Sequence, residues 1–246
     1  DKVKLRAAID NAVTFLTLTP ALDAEDGVIG VEHRQTWYRH KTGLGITPGQ
    51  QDWVPTREIE AFGRSFQGVN LRRCLGCHTT TYELVDARVE HLMAGVQCEA
   101  CHGPGERHVA AIAANDPKAA RHAVVGPQAA RGESDLGGRC HGLPQDITAE
   151  RLARYPPSVT RFQPIGLLQS RCWLESDGAL RCTTCHDPHA PIASRTMSEQ
   201  VATCRECHQS GRYSLCAADH TSDCVRCHMQ KLELIPGIHF HDHWIR

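Results

Sequence analysis

Apolar positions along this chain of 246 residues are scattered, and few stretches hold one period for long. Where a period near 3.6 does hold, it predicts helices around Glu83–Met93, Glu106–Ala114, Ile147–Tyr155 and Ser198–Cys207. Asp1–Leu18 has helical spacing in part, and Gly27–Pro55, with Trp37, Tyr38 and Trp53, predicts short strands and turns. The rest predicts loop. The expected fold class is mainly α with much irregular loop, preceded by a small N-terminal lobe with some β. Residues 1–73 contain no cysteine and form the expected lobe, a cap or docking element, and residues 74–246 form the second expected domain. No apolar run approaches the roughly 20 residues of a membrane helix, so no membrane span is expected in this chain.

Composition changes that picture. Aromatic residues are only 5% of the chain, whereas it holds 13 Cys and 16 His. Side chains alone do not fill an interior of this size, which calls for a cofactor. A net charge of -1 excludes a basic nucleic-acid binder, so no nucleic-acid partner is expected.

Ten of the cysteines fall into five Cys-x-x-Cys pairs: Cys74/Cys77, Cys98/Cys101, Cys182/Cys185, Cys204/Cys207 and Cys224/Cys227. Histidine follows each pair at once, as His78, His102, His186, His208 and His228. Cys-x-x-Cys-His is the attachment signature of c-type haem. Two thiols form thioethers to the two vinyl groups of one porphyrin, and the adjacent imidazole binds the iron as proximal ligand. Zinc ribbons also use paired Cys-x-x-Cys, but they give no reason for a histidine after every second cysteine. A thioredoxin-like site uses one such motif in a βαβ setting, and no such pattern surrounds these.

A sixth, broken copy lies in the widest gap, Gly137-Gly138-Arg139-Cys140-His141, with glycine in place of the first cysteine. One thioether from Cys140 with His141 as ligand predicts a sixth haem c beside the five standard ones; the alternative is a stray Cys-His dipeptide in a loop. Cys172 and Cys216 remain, either as a disulfide or as two buried thiols.

With six histidines in motifs, ten others can supply distal ligands, against three methionines, so bis-histidine ligation is expected for most irons. The candidates beside motifs are His91, His108, His189 and His220. His108 follows a Pro-Gly turn and opens a predicted helix, and His189 lies too close to His186 to serve the same iron. His239, His241 and His243 alternate near the C-terminus on one face of an expected strand, and His239 and His243 are the candidates taken from them. His33, His40 and His122 read as surface or propionate-bonding histidines. The basic residues are 22 Arg against 5 Lys, which suits bidentate pairing with haem propionates, although GC-rich codon usage raises Arg as well.

Gly95-Val96-Gln97-Cys98-Glu99-Ala100-Cys101-His102-Gly103-Pro104-Gly105, Cys182-Thr183-Thr184-Cys185-His186-Asp187-Pro188-His189 and Cys224-Val225-Arg226-Cys227-His228-Met229 resemble multihaem c-type cytochromes related to the tetrahaem electron carrier of ammonia oxidisers. The closing Asp242-His243-Trp244-Ile245-Arg246 resembles the end of multihaem proteins common in planctomycetes. The resemblance covers about residues 70–246. It implies a multihaem fold packed around closely spaced haems, electron transfer from iron to iron, and distal ligands at His108, His189 and His243. Gly137 departs from the family pattern.

The expected function is a carrier or conduit of electrons rather than an enzyme. Its expected partners are redox proteins, such as other cytochromes or a membrane complex, with self-assembly into a filament as a variant. The alternative is a reductase or oxidase of a small nitrogen or sulfur compound at one five-coordinate haem. Thioether attachment takes place outside the cytoplasm, so a periplasmic or extracellular location is expected, with a signal sequence removed.

Overall fold

The computed structural model describes residues 2–6, 12–39, 42–126, 130–154, 159–191, 194–208, 223–235 and 238–246. It divides into two compact units, residues 1–126 and 127–246. The first two Cys-x-x-Cys-His motifs share the first unit with the N-terminal sheet, and the remaining motifs lie in the second.

The first unit is built on an antiparallel sheet of β1 (Lys2–Arg6), β2 (Ala12–Pro20), β3 (Val28–Tyr38), β4 (Gly43–Ile46) and β5 (Gly63–Phe66). The strand β3 carries β2 along one edge and shares the other between β4, opposite Gln35–Tyr38, and β5, opposite Gly30–His33. The partly helical spacing of Asp1–Leu18 yields here to period two: Leu16 and Leu18 are buried while Phe15, Thr17 and Thr19 are less so. Successive residues of β3 feed opposite faces. Val28 joins Leu16, Leu18, Leu71 and Leu75 on one side, and Ile29 and Val31 join Ala24 on the other.

Helix α1 (Gly68–His78) packs on the first of these faces through Leu71 and Leu75, four residues apart and both 0% exposed. Burial of each contributes about 2–3 kcal/mol. Gly30 permits the close approach, since a Cβ there would lie 2.5 Å from Leu71 Cδ1. Cys74, Cys77 and His78 ride on the anchored helix.

The expected helix over Glu83–Met93 is instead a hairpin of β6 (Thr79–Val85) and β7 (Arg88–Ala94). Tyr82, Leu84 and Val89 pack inward from alternating positions, and Asp86 and Ala87 make the two-residue turn at φ 47° and 59°. The unit closes with α2 (Cys98–His102), α3 (Glu106–Ala113) and α4 (Pro117–His122). The helix α3 matches the expected Glu106–Ala114.

The second unit holds α5 (Ala130–His141), α6 (Ala149–Ala153), α7 (Gln163–Leu167), α8 (Arg171–Leu174), α9 (Cys182–Cys185), α10 (Met197–Cys207) and α11 (Cys224–His228). It ends in a hairpin, β8 (Lys231–Ile235) with β9 (Ile238–His241). The helix expected over Ser198–Cys207 is α10, started by a capping box in which Thr196 and Glu199 bond each other's backbone N–H. The helix expected over Ile147–Tyr155 is the shorter α6, capped by Thr148; Tyr155 lies outside the described residues. Both clusters of buried apolar side chains among the described residues belong to the first unit.

The mainly-α expectation is therefore overturned. Three sheets stand beside short helices, because β-branched alternation outweighed weak helical spacing in the first half of the chain.

Candidate functional site

Every Cys-x-x-Cys pair occupies one turn of helix: the ends of α1 and α10, and α2, α9 and α11 in full. The broken copy from Gly137 to His141 ends α5 in the same way. Residues at i, i+3 and i+4 share a face at 3.6 residues per turn, so two thiols and the following imidazole emerge together. His186 and His208 take the C-cap position, where the backbone leaves the helix.

Four of the motif thiols are placed against thiolate chemistry. Burial pushes Cys74 and Cys204 up to about 11, and raises Cys182 and Cys185 as well. That is the reverse of the depressed pKa that a redox dithiol needs. Among the described residues no three His, Cys, Asp or Glu side chains converge as a site for a bare metal ion, which is what a zinc ribbon would require.

The histidines carry a second regularity. His102 Nδ1 lies 2.6 Å from Val125 O and His108 Nδ1 lies 2.9 Å from Ala120 O. In the second unit His241 Nδ1 lies 2.9 Å from Met229 O, His243 Nδ1 lies 2.9 Å from His241 O, and His228 Nδ1 bonds Arg246 O. A carbonyl only accepts, so Nδ1 must carry the proton in each of these bonds. In the neutral ring Nε2 then bears the lone pair, the tautomer of an imidazole that binds metal through Nε2.

The rings of His186 and His243 stand 6.1 Å apart between centroids, with planes inclined at 33°. Burial pushes His243 down to about 4, against the bond to His241 and together with the neighbouring rings of His186, His241 and His141. Burial likewise lowers His186. Neutral imidazoles are what a metal requires.

Other predicted residues are less committed. His91 is exposed on β7 with φ 49°, an uncommon conformation for a side chain of its size. His189 is exposed, 3.7 Å from Asp187. His239 is exposed, with Nε2 3.9 Å from Glu233. His220 and His40 lie outside the described residues, as does Cys216, so the pairing of Cys216 with the half-buried Cys172 does too. His33 bonds Thr17 Oγ1 at 2.7 Å, in keeping with a structural role. Sequence reasoning did not select His241, whose Nδ1 is fixed by the Met229 carbonyl, whereas the described partner of His239 is the Glu233 carboxylate. The strand ends at His241, so His243 leaves the face that alternation assigned it.

At the broken motif, a Cβ on Gly137 would meet nothing within 4 Å, whereas one on Gly138 would strike Leu143 at 2.3 Å. The position of the missing thiol is open, and a side chain at its neighbour Gly138 would have to displace that of Leu143.

Residues 51–103, which contain the first two motifs, match the family model described as cytochrome c554 and c-prime. The match supports a c-type cytochrome. No curated protein and no solved structure matches the chain. The donor set of this chain fits haem c: paired thiols and imidazole on one helical face, Nε2 lone pairs held by main-chain bonds, and exposed Val96, Val109, Ile112 and Val125 in the segments around the second motif. Haem supplies a one-electron iron couple when bound. The surrounding chain would orient the imidazoles that hold such a group, and the exposed apolar side chains would keep water from it.

Proposed function

We propose that this c-type cytochrome conducts electrons through several covalently attached haems. Five sites use Cys74/Cys77/His78, Cys98/Cys101/His102, Cys182/Cys185/His186, Cys204/Cys207/His208 and Cys224/Cys227/His228. A sixth uses Cys140 and His141. The observation that carries the reading is the repeated Nδ1 bond to a main-chain carbonyl, which supports His102 and His228 as proximal ligands and His108, His241 and His243 as distal ones.

An iron closed on both sides by imidazole has no coordination position for a substrate, which favours a carrier over a reductase. Partners are other redox proteins, either cytochromes or a membrane complex, or further copies of this chain. Haem attachment makes the working location periplasmic or extracellular, and the cysteine-free residues 1–73 serve as the docking lobe.

The test is the visible spectrum of the dithionite-reduced native protein before and after carbon monoxide, with haem per chain measured on the same sample. About six haems and no response to carbon monoxide are expected. One haem or none per chain would overturn the reading.

A further inference from the structure

Residues 242–246 of the second unit carry neither helix nor strand, yet they are fastened at several points. Ser170, 0% exposed, sits at the start of α8 without capping it. Its hydroxyl lies 2.9 Å from His243 O and 3.2 Å from Gly166 O, and it accepts from Ile245 N–H at 2.8 Å. One hydroxyl has one proton, and the shorter contact, to His243 O, is the better claim on it. Ser170 therefore clamps the tail on both sides of Trp244, from 73 and 75 residues away in sequence. Asp242, 5% exposed, adds a bond to Trp244 N–H at 2.9 Å and an ion pair with Arg246 at 3.3 Å. Between these fastenings stands His243, with its Nδ1–H given to His241 O.

What the clamp delivers is a distance. Two imidazoles bound through Nε2 on opposite sides of one metal, each at about 2 Å from it, put their ring centres about 6 Å apart. His186 and His243 have centroids 6.1 Å apart. Rings that pack directly on each other also have centroids about 4.5–7 Å apart, but stacked or edge to face; an inclination of 33° is neither.

We propose that His186 and His243 are the two axial ligands of one iron, that of the haem on Cys182 and Cys185, and that Ser170 is the positioning residue that latches the tail carrying His243. The proposal rests on the multihaem reading and adds to it which distal histidine serves which iron, and what holds it there. The latch has a functional sense. An axial ligand on a segment without helix or strand, as residues 242–246 are, would otherwise leave its iron readily, and Ser170 with Asp242 fixes that segment by hydrogen bonds.

Carbon monoxide titration of the reduced holoprotein, with haem content measured alongside, tests it. His243→Ala should raise the number of irons that bind carbon monoxide by one per chain. In a background of Cys182→Ala with Cys185→Ala, which lacks that haem, the same substitution should open none. Ser170→Ala should keep all haems but increase the apparent carbon monoxide affinity of that one iron about tenfold, because the half-buried His243 carbonyl and Ile245 N–H lose their partner. His243→Met carries the test if the alanine variant does not accumulate. A thioether-to-iron charge-transfer band supports the pairing, and an unchanged bis-imidazole spectrum overturns it. No new binding of carbon monoxide in His243→Ala at full haem content would sink the ligand assignment. An opened iron in the background without that haem would sink the pairing. A wild-type chain without covalent haem is a different failure, that of the multihaem reading itself.

Discussion

Glu133 and Thr183, 50 residues apart in sequence, are joined twice: the Glu133 carboxylate accepts from Thr183 N–H at 3.2 Å and from its hydroxyl at 2.9 Å. The carboxylate is 9% exposed and lies 3.7 Å from Arg181. It holds α5, which ends in the broken motif, against the start of α9, which carries an intact one. Glu133→Ala should therefore lower the stability of the second unit by about 1–3 kcal/mol, since it removes two charge-assisted bonds from a largely enclosed site. Glu133→Gln, which keeps one good acceptor, should cost about half as much. Denaturant melts followed by circular dichroism give the comparison, and equal stability of all three proteins would contradict the role assigned.

Acid should act on the first unit through Glu60. Its carboxyl is held down at about 2, first by the Ser65 hydroxyl at 2.5 Å and then by Thr56 N–H at 2.9 Å, with burial opposing. A carboxyl lowered in the folded state stabilises fully above its ordinary value of 4.5, and that contribution is lost as pH falls from 4.5 toward about 2. Glu60→Gln should flatten the stability profile of the unit over that window and leave it similar in shape above pH 5. A variant profile as steep as the wild type below pH 4.5 would assign the acid sensitivity elsewhere.

Gly137→Cys should complete the sixth motif. The new Cβ meets no atom within 4 Å, and the helical turn already places position 137 on the face of Cys140 and His141. The expected result is a second thioether at that haem, read as a pyridine haemochrome band moved toward that of a protein with only two-thioether haems. Cys140→Ala should remove one haem per chain. Unchanged haem content in Cys140→Ala would show that no haem is attached there.

Chain matured without haem should lose its two units unequally. The first keeps Leu16, Leu18, Val28, Leu71 and Leu75 as a buried cluster, whereas the described part of the second has only separate buried apolar residues such as Val159, Ile165 and Val225. Limited proteolysis of the haem-free chain should leave a fragment near residues 1–126 and degrade the remainder. Equal resistance of both would mean that the second unit has a core of its own.

These contrasts follow what a sequence can and cannot carry. Thioether chemistry is local, so Cys74, Cys77 and His78 announce a site by spacing alone, and the turn of helix beneath them follows from the same spacing. Strand pairing is not local. Asp86-Ala87 makes a hairpin turn without the glycine or asparagine that ordinarily marks one, so Glu83–Met93 passed for a helix. His241 and His239 look equivalent along the chain, and only the folded position of the Met229 carbonyl separates them. The Ser170 clamp was equally hidden, because a serine 73 residues upstream has no sequence mark that ties it to His243.

The imidazoles of His102, His108, His228, His241 and His243 are aimed by main-chain oxygens, those of Val125, Ala120, Arg246, Met229 and His241. Every amino acid, proline included, brings the same oxygen to such a position. Apart from His241, itself a proposed ligand, the residues that supply these oxygens are thus free to change identity while the aim is kept, and mutational damage to the proposed haem sites should concentrate on the histidines, the cysteines and the backbone path.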